Sequence, residues 1–347
     1  MAPGPRPGTL ESFADARPAE PVLLTPDGAL TRAEWEARAE ALAEHLAGER
    51  DVALGDLLTV AGRIGPDWLT ASWAAAKLGA GLAGLPPGPV VDLPDAVHVG
   101  ADELAAVAGS AGSPRRADAE LCHEAAPRRL SGTEAPPDSV TFSRLGRPVR
   151  RSFPPASVAA IGATLADLVA RVQAIPGTTL VVAGPVSDLV ATFVANVVLV
   201  GGGRIVTAPE PTAALALAAD HGAELAAFSP GELDVLAGLT GAEREALDLT
   251  SIRALVTGGA QSAARACALV DDLFGADAVI DVYATADTGM VAVRSAGAPH
   301  HVLLDGVAVR TKANGVLEIR SPLAAAPGWV ATGDRAALVG DAGLELR

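Results

Sequence analysis

Cysteine, tyrosine and basic side chains are all scarce in this chain. Its 347 residues include two cysteines, Cys122 and Cys267. Set so far apart, they build no disulfide framework and no cysteine-based zinc site, which suits the reducing cytoplasm. The aromatic residues are four Trp, six Phe and a single tyrosine, Tyr283. Platforms for stacking RNA bases are therefore not expected. Lys and Arg total 26 against 41 Asp and Glu, a formal charge of −15 that opposes binding to a phosphate backbone, so no nucleic-acid partner is expected. Residues 1–21 hold prolines and acids but no apolar run of the kind a secretion signal needs. The most apolar stretch, 180–206, is broken by Gly184-Pro185, Asp188, Asn196 and Gly201-Gly202-Gly203. Its unbroken pieces fall short of the ~20 residues a membrane span requires. It reads as a buried strand, a turn and a buried helix, with no membrane partner.

Apolar residues are abundant. They make up 50% of the chain, against 19% charged, which is too apolar for disorder and enough for a sizeable core. Thr31-Arg32-Ala33-Glu34 is a capping box opening an amphipathic helix with Trp35, Leu42 and Leu46 on one side. Residues 56–61 read as a buried strand, Pro66 as the first residue of a second helix, and 82–85 as a short strand ended by Pro86-Pro87. Between 86 and 155 the apolar runs shorten. Alternation then resumes, with helices predicted at 157–175, 187–199, 212–221, 231–239 and 261–274. Strands are predicted between them at 179–183, 204–207, 224–228, 254–257 and 278–283. Such alternation implies parallel strands covered by helices on both faces. After Thr288 the helical period disappears, and 290–294, 307–311, 316–320 and 336–339 read as short antiparallel strands. The expected fold is α/β, with two layered αβαβα-type subdomains at 1–150 and 151–289 and a small β subdomain at 290–347.

Several patterns resolve without chemistry. Gly79-Ala80-Gly81-Leu82-Ala83-Gly84 matches GxGxxG, but a dinucleotide fingerprint needs a strand before it and a helix after it. Here the order is reversed, so a helix cap and tight turn are expected. Ala108-Gly109-Ser110-Ala111-Gly112 misses the GxSxG elbow and is read as loop, which leaves a serine hydrolase without support. His300-His301 is the sole histidine pair. Neighbours on a strand point to opposite faces, so surface or loop histidines are expected rather than a metal site. Arg144, Arg147, Arg150 and Arg151 stand out in an acidic protein. They form either a solvated loop or an anion site, since arginine forks match phosphate oxygens.

In sequence order, the segments resemble the N-terminal domain of the adenylate-forming superfamily of acyl-CoA synthetases, nonribosomal adenylation domains and luciferase. Leu30-Thr31-Arg32-Ala33-Glu34-Trp35 is similar to the family's "LTYxEL", and Ala76-Lys77-Leu78-Gly79-Ala80 to its "LKAGA". Residues 248–253 with Thr257-Gly258-Gly259-Ala260 resemble "DLSSLR…SGGA". Tyr283-Ala284-Thr285-Ala286-Asp287-Thr288-Gly289 falls on "YGxTETG". Residues 315–322 fall on "GELxVRGP" and 328–334 on "GWxxTGD", the two most specific matches.

The resemblance implies ATP-dependent activation of a carboxylic acid as an acyl-adenylate, commonly followed by transfer to a thiol. It would have Asp334 accept hydrogen bonds from the ribose hydroxyls. Gly258, Gly259 and Ala260 would line the adenine pocket, and Tyr283 would stack on the base. Asp287 stands where the family holds magnesium with a carboxylate, and is the one catalytic candidate. Ser187 and Asp188 lie where a helix start lines the acyl pocket. The implied cofactors are ATP or AMP, Mg and coenzyme A or phosphopantetheine. The implied partners are a small carboxylic acid or acyl-thioester and a carrier protein.

Departures accompany the matches. The phosphate loop "TSGTTGxPKG" has as its counterpart the segment 141–150, in which Gly146 and Pro148 match while Val149 replaces the lysine and Arg150 the last glycine. Ala286 replaces the motif threonine. The sequence ends near the family hinge, so a separate C-terminal domain would be a further partner. Three functions stay open: an atypical acid-activating ligase of the acyl-AMP ligase or acyl-CoA synthetase kind; an ATP-independent acyl transferase binding an acyl-thioester or carrier, with Arg147 and Arg150 as anion contacts; and a non-catalytic pseudoenzyme.

Overall fold

A computed structural model of the chain describes residues 16–86, 95–110, 139–142, 148–151, 158–258, 279–295 and 297–346, together with Ala14, Leu93 and Leu273. The chain opens with a hairpin that sequence periodicity does not flag, β1 (Pro21–Thr25) and β2 (Gly28–Thr31). Helix α1 (Arg32–Glu49) follows, capped as expected. The Thr31 hydroxyl accepts from Glu34 N–H at 3.3 Å, and the Glu34 carboxylate accepts from Thr31 N–H at 2.9 Å. The chain then runs through β3 (Leu57–Ala61), α2 (Pro66–Leu78), β4 (Gly81–Leu85), β5 (Ala96–His98), α3 (Ala101–Ser110), β6 (Ser139–Phe142) and β7 (Pro148–Arg151). These strands form a five-stranded sheet in the order β5-β3-β4-β6-β7, parallel except for β7. Ala108, Gly109 and Ser110 lie on the end of α3 rather than in a loop, because the apolar pair Leu104 and Val107 buries one face of a short helix. Gly79 caps α2 in the left-handed region at φ 63°, which bears out the reading of the glycine run as a cap and turn.

The second half continues with α4 (Val158–Arg171), β8 (Thr179–Val182), α5 (Leu189–Val200), β9 (Arg204–Val206), α6 (Pro211–Asp220), β10 (Leu225–Ala227), α7 (Pro230–Ala237), α8 (Gly241–Glu245), β11 (Ala254–Gly258) and β12 (Val279–Thr285). Strands β8 to β12 pair in parallel, as the alternation predicts. Helix α4 ends at Arg171, short of the predicted 175, and Gln173 turns away with φ 58°. The predicted helix over 261–274 lies outside the described residues apart from Leu273. The antiparallel tail comprises β13 (Gly289–Ser295), β14 (His301–Leu303), β15 (Ala308–Thr311), β16 (Val316–Arg320), β17 (Val330–Val339) and β18 (Gly343–Leu346). Strand order runs β15-β16-β17-β18-β14-β13-β12-β11-β10-β8-β9-β1-β2, so the opening hairpin closes one edge of the large sheet beside β9. Among the described residues no helix is long and apolar enough to cross a membrane.

Side-chain alternation divides the large sheet between two cores. Leu180 and Val182 face a cluster shared with Leu58 and Val60 of the small sheet, Trp68 of α2, and Val194 and Val198 of α5. Val181 and Ala183 face the opposite way, onto Leu215 of α6 and Leu233 of α7. Arg32, 2% exposed, ties α1 to the large sheet by donating to the carbonyls of Gly202 at 2.7 Å and Gly203 at 3.0 Å.

The two sheets meet where the loop after β3 crosses the loop after β8. Ile64 N–H donates to Gly184 O at 3.0 Å, and Val186 N–H to Gly62 O at 3.0 Å. Arg63 Nη1 donates to Ala183 O at 2.6 Å. Gly84 lies beneath this crossing, and a Cβ there would fall 2.1 Å from the Val186 carbonyl oxygen. The last glycine of the GxGxxG run is therefore required by backbone approach between the sheets. Gly84→Ala should destabilise the fold by about 2 kcal/mol or more, read as a lowered urea midpoint. An unchanged midpoint would mean that the crossing yields without cost.

Candidate functional site

The chain leaves β8 through α5 to β9 on one side of it, then returns through α6 to β10 on the other. Loops following β8 and β10 therefore diverge, and an open α/β sheet binds ligands in the crevice at such a point. Both loops end in a helix cap built by an acid. Asp188 caps α5 and accepts from Ala191 N–H at 2.8 Å. Ser187 stands just outside that helix, one residue before the cap. Ser229 caps α7, and Glu232 completes the capping box by accepting from Ser229 N–H at 2.8 Å. Gly184 lies beside both caps: a Cβ on it would make ordinary contacts, 3.4 Å to Glu232 Oε2 and 3.6 Å to the Ala191 Cβ.

Asp188 is therefore a carboxylate half-enclosed beside a second, buried one. Its pKa is raised above the usual aspartate range, chiefly by burial, with the charge of Glu232 adding to the effect and the N–H groups of Ala191 and Val190 opposing it. Sequence reading missed Glu232. Its only signal was the Ser229-x-x-Glu232 pattern after a buried strand, which also marks any ordinary helix start.

From Asp188 the structure makes a continuous path across the strand ends. Gly258 closes β11, and a Cβ on it would meet Val190 Cγ2 of α5 at 2.7 Å and Val282 O of β12 at 3.1 Å. The space its missing side chain leaves is filled by Val190, so this glycine seats α5 on the sheet. Gly259 and Ala260 lie outside the described residues. Tyr283, next along β12, is 3% exposed and packs among Val291, Leu317, Ile319 and Leu344. Its hydroxyl donates to Asp334 Oδ2 at 2.7 Å. Asp334 lies on β17, which begins at Val330 rather than at the predicted 336 and carries the Thr-Gly-Asp end of the "GWxxTGD" match. Asp287 occupies the turn from β12 to β13, where its carbonyl accepts from Ala325 N–H at 2.8 Å. The Thr285 and Thr288 hydroxyls flank that turn and bond to each other at 2.8 Å. Arg150 lies apart from this path, on β7 at one edge of the small sheet opposite Val140. Arg147 falls outside the described residues.

Behind Tyr283 is a group that the sequence reading misjudged. His301 was expected at the surface or in a loop, yet on β14 it points inward and is 4% exposed. Its Nε2 lies 3.2 Å from Asp281 Oδ2, which also accepts from Arg294 Nη2 at 2.8 Å. A cavity of about 90 Å³ opens beside these three side chains. A larger one, about 410 Å³, lies between the β1–β2 hairpin, the start of α2 and the end of β9, with Arg38, Arg63 and Asp67 on its walls. It holds none of the candidate catalytic, cofactor-binding or substrate-pocket residues, though Leu30 and Pro66 line it. Among the described residues no group of three or more His, Cys, Asp or Glu side chains could hold a metal ion.

No protein-family model and no curated protein matches the sequence. Solved structures do match it. The N-terminal domain of FACL13 from Mycobacterium tuberculosis, solved with a bound inhibitor, aligns with a TM-score of 0.73 at 17% identity over 97% of this chain and 98% of that one. VinN in complex with L-aspartate aligns with a TM-score of 0.74 at 15% identity over 97% of each chain. O-succinylbenzoate coenzyme A synthetase (MenE) from Bacillus subtilis gives 0.70 at 14% identity over 99% of this chain and 79% of that one. The fold is that of the N-terminal domain of adenylate-forming enzymes, as the order of motifs led one to expect.

The raised pKa of Asp188 makes a stability prediction with a definite sign. Folding favours its neutral form, so this contribution is complete below the ordinary aspartate pKa and is lost as pH rises through the raised folded-state value. Asparagine caps a helix as well as aspartate and stays neutral. Asp188→Asn should therefore gain on the parent as pH rises, with a larger melting-temperature advantage at about pH 7.5 than at about pH 3.5. An equal difference at both pH values would show Asp188 to be ordinarily solvated.

Proposed function

We propose that this chain activates a carboxylic acid carrying an ammonium group, joining it to the α-phosphorus of ATP as an acyl-adenylate. The supporting observation is the unbroken path from Asp188 through Val190, Gly258 and Val282 to Tyr283 and Asp334. It brings together segments more than a hundred residues apart, from the loop after β8 across β11 and β12 to β17. In this reading a carboxylate oxygen of the substrate attacks the α-phosphorus and pyrophosphate leaves. Asp334 holds the ribose hydroxyls, and the Gly258 turn borders the base. Asp287 supplies the protein oxygen for a magnesium ion, whose chemistry is to neutralise phosphate charge.

The choice of acid follows from electrostatics. Asp188 and Glu232 adjoin where the loops after β8 and β10 diverge, and the burial that raises the pKa of Asp188 is relieved when a cation pairs with it. An ammonium group is the natural occupant, and L-aspartate, with which the neighbour VinN was solved, carries one. The activated acyl group would then pass to a thiol, either coenzyme A or the pantetheine of a carrier, as the coenzyme A synthetase neighbour suggests.

Exchange of labelled pyrophosphate into ATP is the direct assay. It should respond to amino acids more than to acids of the same shape lacking the amine. Asp334→Ala should lower it about 10- to 100-fold, the worth of one or two charge-assisted hydrogen bonds. Asp188→Asn should narrow the preference for the amine. If calorimetry shows that neither ATP nor AMP binds, the reading is wrong.

A further inference from the structure

We infer that Tyr283 is a positioning residue for Asp334: its hydroxyl fixes the carboxylate in the orientation that receives the ribose hydroxyls. This rests on the proposed reading of Asp334 as the ribose acceptor, and it gives Tyr283 a role other than stacking on the base. With 3% of its surface exposed, the ring has little face to offer adenine. The polar end of the side chain instead reaches the half-buried Asp334, at an O···O distance of 2.7 Å.

The contact has the properties a positioning device needs. A hydroxyl donating to a carboxylate is among the stronger hydrogen bonds and is strongly directional. The donor is itself immobile. Val291, Leu317 and Leu344 enclose the ring. The His301 ring meets it edge-on, with centroids 6.3 Å apart and planes at 63°. His301 is steadied in turn beside Asp281, which is tied to Arg294. The acceptor is set from its own backbone as well. Gly333 has φ 79°, a left-handed conformation that glycine adopts at little cost, and Asp334 N–H donates to the Thr332 hydroxyl at 3.2 Å. One carboxylate oxygen is thus held by a phenol whose ring cannot turn away, and the plane of the group is fixed before any nucleotide arrives. An aspartate on a half-exposed strand would otherwise lose side-chain freedom on binding.

Tyr283→Phe removes the hydroxyl and keeps the ring. Its affinity for AMP should fall about tenfold, while its affinity for 2′,3′-dideoxy-AMP should match that of the parent. In the Asp334→Ala background the same change should have no further effect on AMP binding. A purely structural defect would weaken both nucleotides alike and would overturn the inference. So would parental AMP affinity in Tyr283→Phe alongside weakened affinity in Asp334→Ala, an outcome that spares the ribose reading. Parental affinity in Asp334→Ala, or no AMP binding by the parent, would remove both. A second measurement needs no substitution. Tyr283 is the only tyrosine in the chain, so growth on 3-fluorotyrosine places one fluorine beside the contact. Its NMR resonance should move with AMP and stay near the free position with the dideoxy nucleotide. Equal shifts, or none with AMP, would overturn the inference.

Discussion

The site depends on a backbone contact. The loop after β3 and the loop after β8 exchange hydrogen bonds in both directions, Ile64 to Gly184 and Val186 to Gly62, and Arg63 adds a third bond to Ala183. Each is made to a carbonyl group, so the pairing demands chain geometry rather than particular side chains. It is possible because a glycine stands at 84, where a Cβ would run into the Val186 carbonyl, and because Gly62 takes the left-handed region at φ 127°. The crossing sets the angle between the sheets and fixes where Pro185 and Val186 lead the chain. That decides where α5 begins and where Asp188 stands. Gly258 and Tyr283 are then placed by the neighbouring parallel strands β11 and β12, and Asp334 by the antiparallel β17.

What the sequence made legible follows the same division. Strands β8 to β12 could be read because both of their faces are buried, which leaves uniform apolar runs separated by helices. Half-exposed or short elements were harder. Strand β17 shows an alternating pattern of exposure over 330–335, but Thr332, Gly333 and Asp334 carry no apolar signal there, so its first half read as loop. The hairpin of β1 and β2 is four or five residues a side, and the strand β5 is three. Such elements are held by pairing with distant strands, which local periodicity cannot express. His301 was misjudged because alternation tells which neighbours share a face but not which face is buried. Asp281, twenty residues earlier, settles that by offering a partner.

The candidate residues were legible through the order of short motifs, and their contacts were not. Resemblance places Asp188, Gly258, Tyr283 and Asp334 in one site, but it is silent about how they touch. The structure gives Gly258 a packing role against Val190 and gives Tyr283 a hydrogen bond in place of an open ring face. Glu232 escaped notice because a capping box explains it fully as a helix start. Its second consequence, the negative field at Asp188, appears only when two loops 40 residues apart meet beside Gly184.

That field has a cost for the fold. Burial of Asp188 beside the charge of Glu232 opposes folding, since both make the Asp188 carboxyl harder to ionise. Helix capping offsets part of this, because both acids accept backbone N–H groups that would otherwise be unpaired. At position 188 a neutral cap such as serine, threonine or asparagine would meet the same backbone need without the charge. A cation between them would turn mutual repulsion into shared attraction and relieve the burial that raises the pKa of Asp188. Under the proposed reading, binding of an ammonium group would offset the unfavourable burial at Asp188.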